Sequence, residues 1–193
     1  MKLAIEQSSQ AVVETVSPED DTLAQAAVDS PQAFGELYRR YAVGVYRYLY
    51  GRTGNQADAE DLTAQVFIEA LESLPRYRPR GQFAAWLYTI VRRRAVDRLR
   101  RQRPQFSLEW LDGHQTAADT PLGQVIHRED LQRLADLCSQ LDKKKQELVH
   151  LRFAAGLSYA QIAQINGKSE AAVGMALHRL MKWFQDHWED ENE

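Results

Sequence analysis

From Phe34 to Leu49 the large apolar side chains Phe34, Leu37, Tyr38, Tyr41, Val45, Tyr46 and Leu49 recur at spacings of three and four. A helix over this stretch gathers them on one face. The same period returns in Ala59, Leu62, Val66, Ala70 and Leu74, and again in Phe83, Leu87, Ile90, Val91, Ala95 and Leu99. No strand-like alternation extends beyond a few residues and no internal repeat is visible, so the fold class expected is all-α. Helix starts are marked by Ser17-Pro18-Glu19-Asp20 and Ser30-Pro31, each an N-cap followed by proline at the first helical position. Gly51 and Gly54 are expected to end the second helix, Asn55 to cap the third, and Pro75 to close it. A loop rich in Pro and Arg follows to Gly81. The next helix runs from Gln82 to about Gln102 and stops before Pro104. Two prolines and two glycines mark 104–123 as a flexible linker. The layout expected is a frayed N-terminus at 1–16, a helical domain at 17–103, the linker, a second helical domain at 124–188 and an acidic tail at 189–193.

Charge is distributed very unevenly. Between Arg76 and Arg103 lie ten arginines and one acid, Asp97, which makes that segment +9 in a chain whose formal net charge is −3. Such a segment suits phosphate. It also interleaves Tyr77, Phe83, Trp86 and Tyr88 with the guanidinium groups; exposed aromatics can stack on unpaired bases, while Phe83 and Trp86 read equally as core residues and the arginines as a solvated face. Tyr77, Trp86, Tyr88, Arg92, Arg93, Arg98, Arg100 and Arg101 are therefore the candidates for single-strand contact.

Other classes are poorly supported. The lone Cys138 can neither form an intramolecular disulfide nor complete a Cys-based zinc site, and reads as a core residue. The five histidines lack ligand spacing, and His150 and His178 read as helix-face residues. No glycine-rich phosphate loop precedes a lysine, and no Ser-His-Asp order stands out. Neither enzyme chemistry, cofactor, metal nor small-molecule substrate is expected. No apolar run approaches the ~18 residues of a membrane span, and Met1 to Val16 lacks signal-peptide order, which points to the cytoplasm without membrane insertion.

The second block carries a compact motif. Ser158-Tyr159-Ala160-Gln161 has the form of a capping box, Asn166-Gly167-Lys168 supplies a tight turn, and Ser169 caps a longer helix with Val173, Leu177 and Leu180 inside. A short helix, a glycine turn and a longer helix, with small Ala163 at the packing point, make a helix-turn-helix that can push one helix into a DNA major groove. An ordinary helical hairpin has the same spacing.

Several stretches together resemble bacterial RNA polymerase sigma factors of the sigma-70 family, in their extracytoplasmic-function group. They are Asp58-Ala59-Glu60-Asp61-Leu62-Thr63, Val66-Phe67, Phe83-Ala84-Ala85-Trp86-Leu87-Tyr88-Thr89-Ile90, Arg94-Ala95-Val96-Asp97, Leu157-Ser158-Tyr159-Ala160-Gln161-Ile162-Ala163 and Leu177-His178-Arg179. The resemblance covers about 31–104 and 131–185. It implies a region 2-like bundle and a region 4-like helix-turn-helix domain. Its partners would be core RNA polymerase, through the β′ clamp helices and β flap, promoter DNA, and an anti-sigma factor where one exists. The Asp58 to Phe67 helix would dock on the clamp helices. Asp58, Asp61, Leu62 and Gln65 fall at spacings that can share one exposed strip, although Leu62 must serve either that strip or the core. The arginine segment would open and hold the minus-ten element, and Ser158 to Lys182 would contact the minus-thirty-five element as duplex. The linker would thread near the template path with Glu109, Asp112 and Asp119 mimicking nucleic-acid charge.

The chain departs from the family pattern at Ala64 and Gln65, at Arg93, and at Gly174 and Ala176, where basic residues are usual. Ser169, Glu170, Ala171, Ala172 and Met175 are the residues placed to meet base edges, and none can make the bidentate guanine contact of an arginine. Arg179 and Lys182 are better placed for phosphates, helped by Lys168 and by Lys143, Lys144 and Lys145, and the resemblance adds His178 to the minus-thirty-five contacts. Weak duplex affinity is expected of the second block alone. Two alternatives stay open: a free-standing helix-turn-helix regulator, and a polymerase-binding interaction protein with weak promoter readout.

Overall fold

The computed structural model describes residues 18–100 and 121–189. Arg101, most of the expected linker with its three acids, the N-terminus and the end of the acidic tail lie outside the described residues. All regular elements among the described residues are helical. The first block contains α1 (Pro18–Ala26), α2 (Pro31–Thr53), α3 (Gln56–Ser73), a single 3₁₀ turn (Leu74–Arg76) and α4 (Phe83–Leu99). The cap residues act as expected. Ser30 Oγ accepts from the Ala33 amide at 3.3 Å and Asn55 Oδ1 from the Asp58 amide at 2.9 Å, each worth about 1 kcal/mol to its helix.

The three apolar stripes meet in one core. Leu37, Tyr41, Val45 and Leu49 of α2 are buried with Ala59, Leu62, Val66 and Ala70 of α3 and with Phe83, Leu87, Val91 and Ala95 of α4. Aromatic edges fill the remaining space, with Tyr41 and Tyr77 both T-shaped to Phe83. One expected boundary differs. The α2 helix continues through the buried Gly51 to Thr53 and is capped by Gly54, three residues after Gly51. The helix penalty of a glycine, about 1 kcal/mol, is outweighed there by packing, because Gly51 is buried on the side of α2 that meets the π turn of the second block.

The second block contains α5 (Pro121–Ser139), α6 (Lys143–Val149), a π-helical turn (His150–Ala154), α7 (Tyr159–Asn166) and α8 (Glu170–Glu189). The first of these starts three residues before the expected 124. Asp142 caps α6 by accepting from the Lys144 and Lys145 amides at 3.0 and 2.9 Å. The π turn closes with the Ala155 amide bonded to the His150 carbonyl at 2.8 Å. Cys138, Leu151, Ile162, Val173, Leu177, Leu180 and Phe184 form this block's share of the core. Burial pushes the Cys138 thiol up to about 12, as suits an inert apolar residue.

Candidate nucleic-acid and polymerase interface

The loop between the 3₁₀ turn and α4, with the outer side of α4, forms an open groove. Arg76, Tyr77, Arg78, Arg80, Gln82, Ala85, Trp86 and Thr89 line it from the first block. Tyr77 and Trp86 stand with ring centroids 5.0 Å apart, and Phe83 behind them is buried. Arg76, Arg78, Arg80 and Arg100 are exposed and form no ion pair among the described residues. The groove therefore combines flat aromatic surface with unneutralised cations, the pairing that suits a single nucleic-acid strand.

The remaining sequence-picked residues of this segment do not all stand open. Tyr88 has no solvent exposure and faces the Tyr48 ring edge-on at 5.8 Å, so the expectation that it stacks on bases is wrong. Its place on the helix, one turn beyond Ala84, puts it on the core side of α4. Arg93 pairs with Glu69, and Arg94 reaches the same carboxylate at 2.7 Å. Arg98 is bound to Asp58 through both its Nε and an Nη. These pairs tie α4 to α3. Arg92 is drawn the other way, to Glu147 of the second block at 3.0 Å. Sequence reading missed Glu69 and Glu147 and gave Asp58 a different role, although Glu69 falls eleven residues, about three turns, beyond Asp58 on the same helix side.

On α3 the expected polymerase strip divides. Leu62 is 5% exposed and belongs to the core, because it follows Ala59 and precedes Val66 on the buried stripe. Asp58 faces Arg98. Asp61 is exposed and accepts from Gln65 Nε2 at 2.7 Å. Beside that pair lie Ile68 and Leu71, 59% and 47% exposed. Sequence reasoning passed over them. Their signal was apolar residues falling between the members of the buried stripe. The exposed strip of α3 thus runs Asp61, Ala64, Ile68, Leu71.

The helix-turn-helix forms as read. Ser158 Oγ accepts from the Gln161 amide at 3.2 Å, and Gln161 Oε1 accepts from the Ser158 amide at 2.9 Å. Gly167 turns the chain with φ 62°, a conformation L side chains resist. Ser169 Oγ then accepts from the Ala172 amide at 3.2 Å and starts α8. Along α8, Ser169, Glu170, Ala171, Met175, His178, Arg179 and Lys182 are exposed, as is Lys168 before it, while Ala172 is half-buried. Met175 is 59% exposed. Gly174 is turned toward α7: a Cβ there would stand 3.6 Å from the Tyr159 ring. Ala176 packs on the core. The two positions that depart from the family pattern therefore lie off the exposed strip.

The two blocks touch. Glu147 accepts from the Tyr48 hydroxyl at 2.8 Å, from Arg52 at 3.1 Å and from Arg92. His150, read from sequence as a helix-face residue, is buried against Tyr48, with ring centroids 6.0 Å apart. Burial, reinforced by the Arg52 charge, lowers its pKa to about 3, so it is neutral at physiological pH. Gln164 and Ile165 of α7 border the aromatic groove, and Arg92 also donates to the Ile165 carbonyl at 3.4 Å.

A helical bundle with an arginine-rich aromatic groove, followed by a helix-turn-helix, has the architecture of a promoter-specificity factor. The Sigma-70 region 2 family matches residues 37–105, and the Sigma-70, region 4 family matches 131–184. The ECF RNA polymerase sigma factor BldN of Streptomyces coelicolor is 36% identical over 163 residues, which are 82% of this chain and 61% of that protein. The ECF RNA polymerase sigma factor SigE of Mycolicibacterium smegmatis is 33% identical over 183 residues, 89% of this chain and 70% of SigE. A solved structure of CnrH in complex with the cytosolic domain of CnrY shares the fold, with a TM-score of 0.61 at 24% identity over 89% of this chain and 97% of that one. The chain belongs to the sigma-70 family, in its extracytoplasmic-function group, and is a promoter-recognising sigma factor.

Proposed function

We propose that the chain binds core RNA polymerase and directs initiation by holding the minus-ten element as a single strand and contacting the minus-thirty-five element as duplex. The observation that carries this reading is the groove of Tyr77, Trp86, Arg76, Arg78 and Arg80 followed in the chain by a capped helix-turn-helix with one exposed face. The strip Asp61, Gln65, Ile68 and Leu71 is the docking face for the polymerase clamp. Its apolar centre gives buried area and its carboxylate gives orientation. Arg76, Arg78, Arg80 and Arg100 hold the strand by its phosphates, with Arg92, Arg93 and Arg98 joining where their carboxylate partners release them. On α8, Glu170, Ala171 and Met175 face base edges while Arg179 and Lys182 hold phosphates. Domain limits of 17–103 and 124–188, with a linker between them, belong to the same proposal.

The chain acts as a non-catalytic initiation factor, and the polymerase performs the phosphoryl transfer. Its place of work is the cytoplasm, with the polymerase. No helix among the described residues is long and apolar enough to cross a membrane. A regulatory protein partner of the anti-sigma kind belongs to the same proposal, since CnrH was solved bound to a cytosolic domain of another protein.

In-vitro transcription with core polymerase, with start sites mapped by sequencing and thymine reactivity to permanganate followed at the minus-ten element, tests the reading. Start sites that appear only with the chain present, and thymines that open there, are the expected result. A chain that binds polymerase yet opens no promoter would be an interaction protein instead.

A further inference from the structure

Helix α1 lies before the region 2 match, which begins at residue 37, and carries two adjacent buried carboxylates, Asp20 and Asp21. They face different neighbours. Asp20 accepts from the Tyr41 hydroxyl at 2.6 Å and from Arg40 at 2.9 Å, which fastens α1 to α2. Asp21 accepts with one oxygen from the Tyr77 hydroxyl at 2.6 Å and with the other from the Gly81 amide. Tyr77 and Gly81 are the two ends of the loop that presents Arg78 and Arg80 and forms one edge of the aromatic groove. That loop contains no regular structure, and a short exposed arginine-rich segment has little of its own to fix its shape. One carboxylate bridging its ends closes it into a small ring. Burial and the adjacent carboxylate raise the Tyr77 phenol's pKa, so it stays a donor to Asp21.

We propose that Asp21 is a positioning residue for minus-ten recognition: held on α1 by its neighbour's contacts with α2, it fixes the Tyr77–Gly81 loop so that Tyr77, Arg78 and Arg80 meet the displaced strand in one geometry. This rests on the reading of the groove as the minus-ten site. The chemistry of the bridge defines the substitutions. Asparagine has the size of aspartate but only one good acceptor, so Asp21→Asn leaves either the phenol or the Gly81 amide poorly matched. Asp21→Glu restores two acceptors. Tyr77→Phe keeps the ring against Trp86 and Phe83 and removes only the hydroxyl.

The full chain is assembled with core polymerase and assayed on promoters randomised over the minus-ten element. For Asp21→Asn the expected result is unchanged polymerase affinity, at least a fivefold loss of permanganate-detected opening and a broadened minus-ten preference, with partial recovery in Asp21→Glu. Adding Tyr77→Phe should worsen Asp21→Asn by less than the product of the single effects, since both cut one link. A second readout needs no promoter. Trypsin cleavage after Arg80 in the free protein should be at least threefold faster in Asp21→Asn, with helicity unchanged. Asp20→Asn serves as the structural control: its melting temperature should fall while the base preference of what remains active is kept. Normal opening and base preference in Asp21→Asn would overturn the proposal. So would equal losses of polymerase binding and opening, which would mean a role in folding alone. Faster cleavage after Arg80 in a chain whose wild type opens no promoter would leave the anchoring intact and refute the groove's assignment to the minus-ten strand.

Discussion

His150 shows how far a single residue can differ from its appearance in sequence. A lone histidine with Gln146, Glu147 and Arg152 within one turn, it reads as a helix-face position, even though Val149 and Leu151 flank it. In the structure it is the hinge of contact between α2 and the π turn, and only partners distant in sequence, Tyr48 and Gly51, make it buried. Its pKa is lowered to about 3 in the folded chain, from an unfolded value near 6.5. The unfolded state therefore binds a proton below about pH 6.5 that the folded state refuses. The stabilising effect of a neutral His150 is complete above pH 6.5 and declines as pH falls, by at most about 1.4 kcal/mol per pH unit. Melting temperatures measured between pH 7.5 and 5 should drop in the wild type, and part of that drop should vanish in His150→Phe, which keeps the ring beside Tyr48. An identical pH dependence in both proteins would place the titrating group elsewhere. Tyr88 teaches the same lesson in reverse. An aromatic residue in an arginine-rich run invites assignment to bases, yet its helical register alone, four residues from Ala84 and three from Val91, sets it in the core.

At the scale of elements, what local chemistry dictates was legible and what distant charge dictates was not. Caps at Ser30, Asn55 and Ser158 and the buried stripes of α2, α3 and α4 follow from spacing within a few residues. The pairing of Arg93 and Arg94 with Glu69, and of Arg98 with Asp58, needs the packing angle of two helices, which no periodicity reports. The same limit hid the outer strip of α3, because a stripe search collects the buried face and leaves Ile68 and Leu71 as remainder. That strip makes a direct prediction: Asp61→Arg and Ile68→Glu should each weaken binding to core polymerase at least fivefold with no loss of helicity by circular dichroism. Both substitutions fall on exposed positions, so folding is little disturbed. A titration showing unchanged affinity for both would remove this face from the docking surface. The contacts proposed for the exposed face of α8 are of two kinds. Arg179→Ala should weaken holoenzyme binding to all minus-thirty-five sequences alike and reduce the salt slope by about one phosphate's worth, whereas Glu170→Ala should change base preference. Selection from randomised minus-thirty-five elements distinguishes them, and a shift in preference from Arg179→Ala would mean that it reads a base.

For the whole molecule the decisive geometry is that the two blocks share Arg92. In the arrangement described, Glu147 and the Ile165 carbonyl hold that arginine, and Gln164 and Ile165 stand at the rim of the groove, so a strand that uses Arg92 or passes that rim must displace α7. The close approach depends on a missing side chain. A Cβ on Gly44 of α2 would lie 2.7 Å from the Ala155 carbonyl oxygen, a backbone atom with no rotamer by which to move aside. Gly44→Ala therefore opposes the contact between blocks, while inside α2 the change favours the helix by about 1 kcal/mol. One complication lies within the first block, since the same Cβ would stand 3.2 Å from the Tyr88 hydroxyl. That hydroxyl is buried with no hydrogen-bond partner among the described residues, so Tyr88→Phe removes the conflict without breaking a described bond. The double variant Gly44→Ala/Tyr88→Phe should keep the helix content of the wild type, show a larger radius of gyration by small-angle scattering, and bind a fluorescent single-stranded minus-ten oligonucleotide at least threefold more tightly in the absence of polymerase. Glu147→Gln should act in the same direction more weakly, because Tyr48 and Arg52 retain an acceptor there. If core polymerase seats each block on its own surface, the difference between variant and wild type should shrink when the polymerase is present. An unchanged scattering profile together with unchanged oligonucleotide affinity would show that α7 does not stand in the path of the strand, and that Arg92 can serve Glu147 and DNA at once.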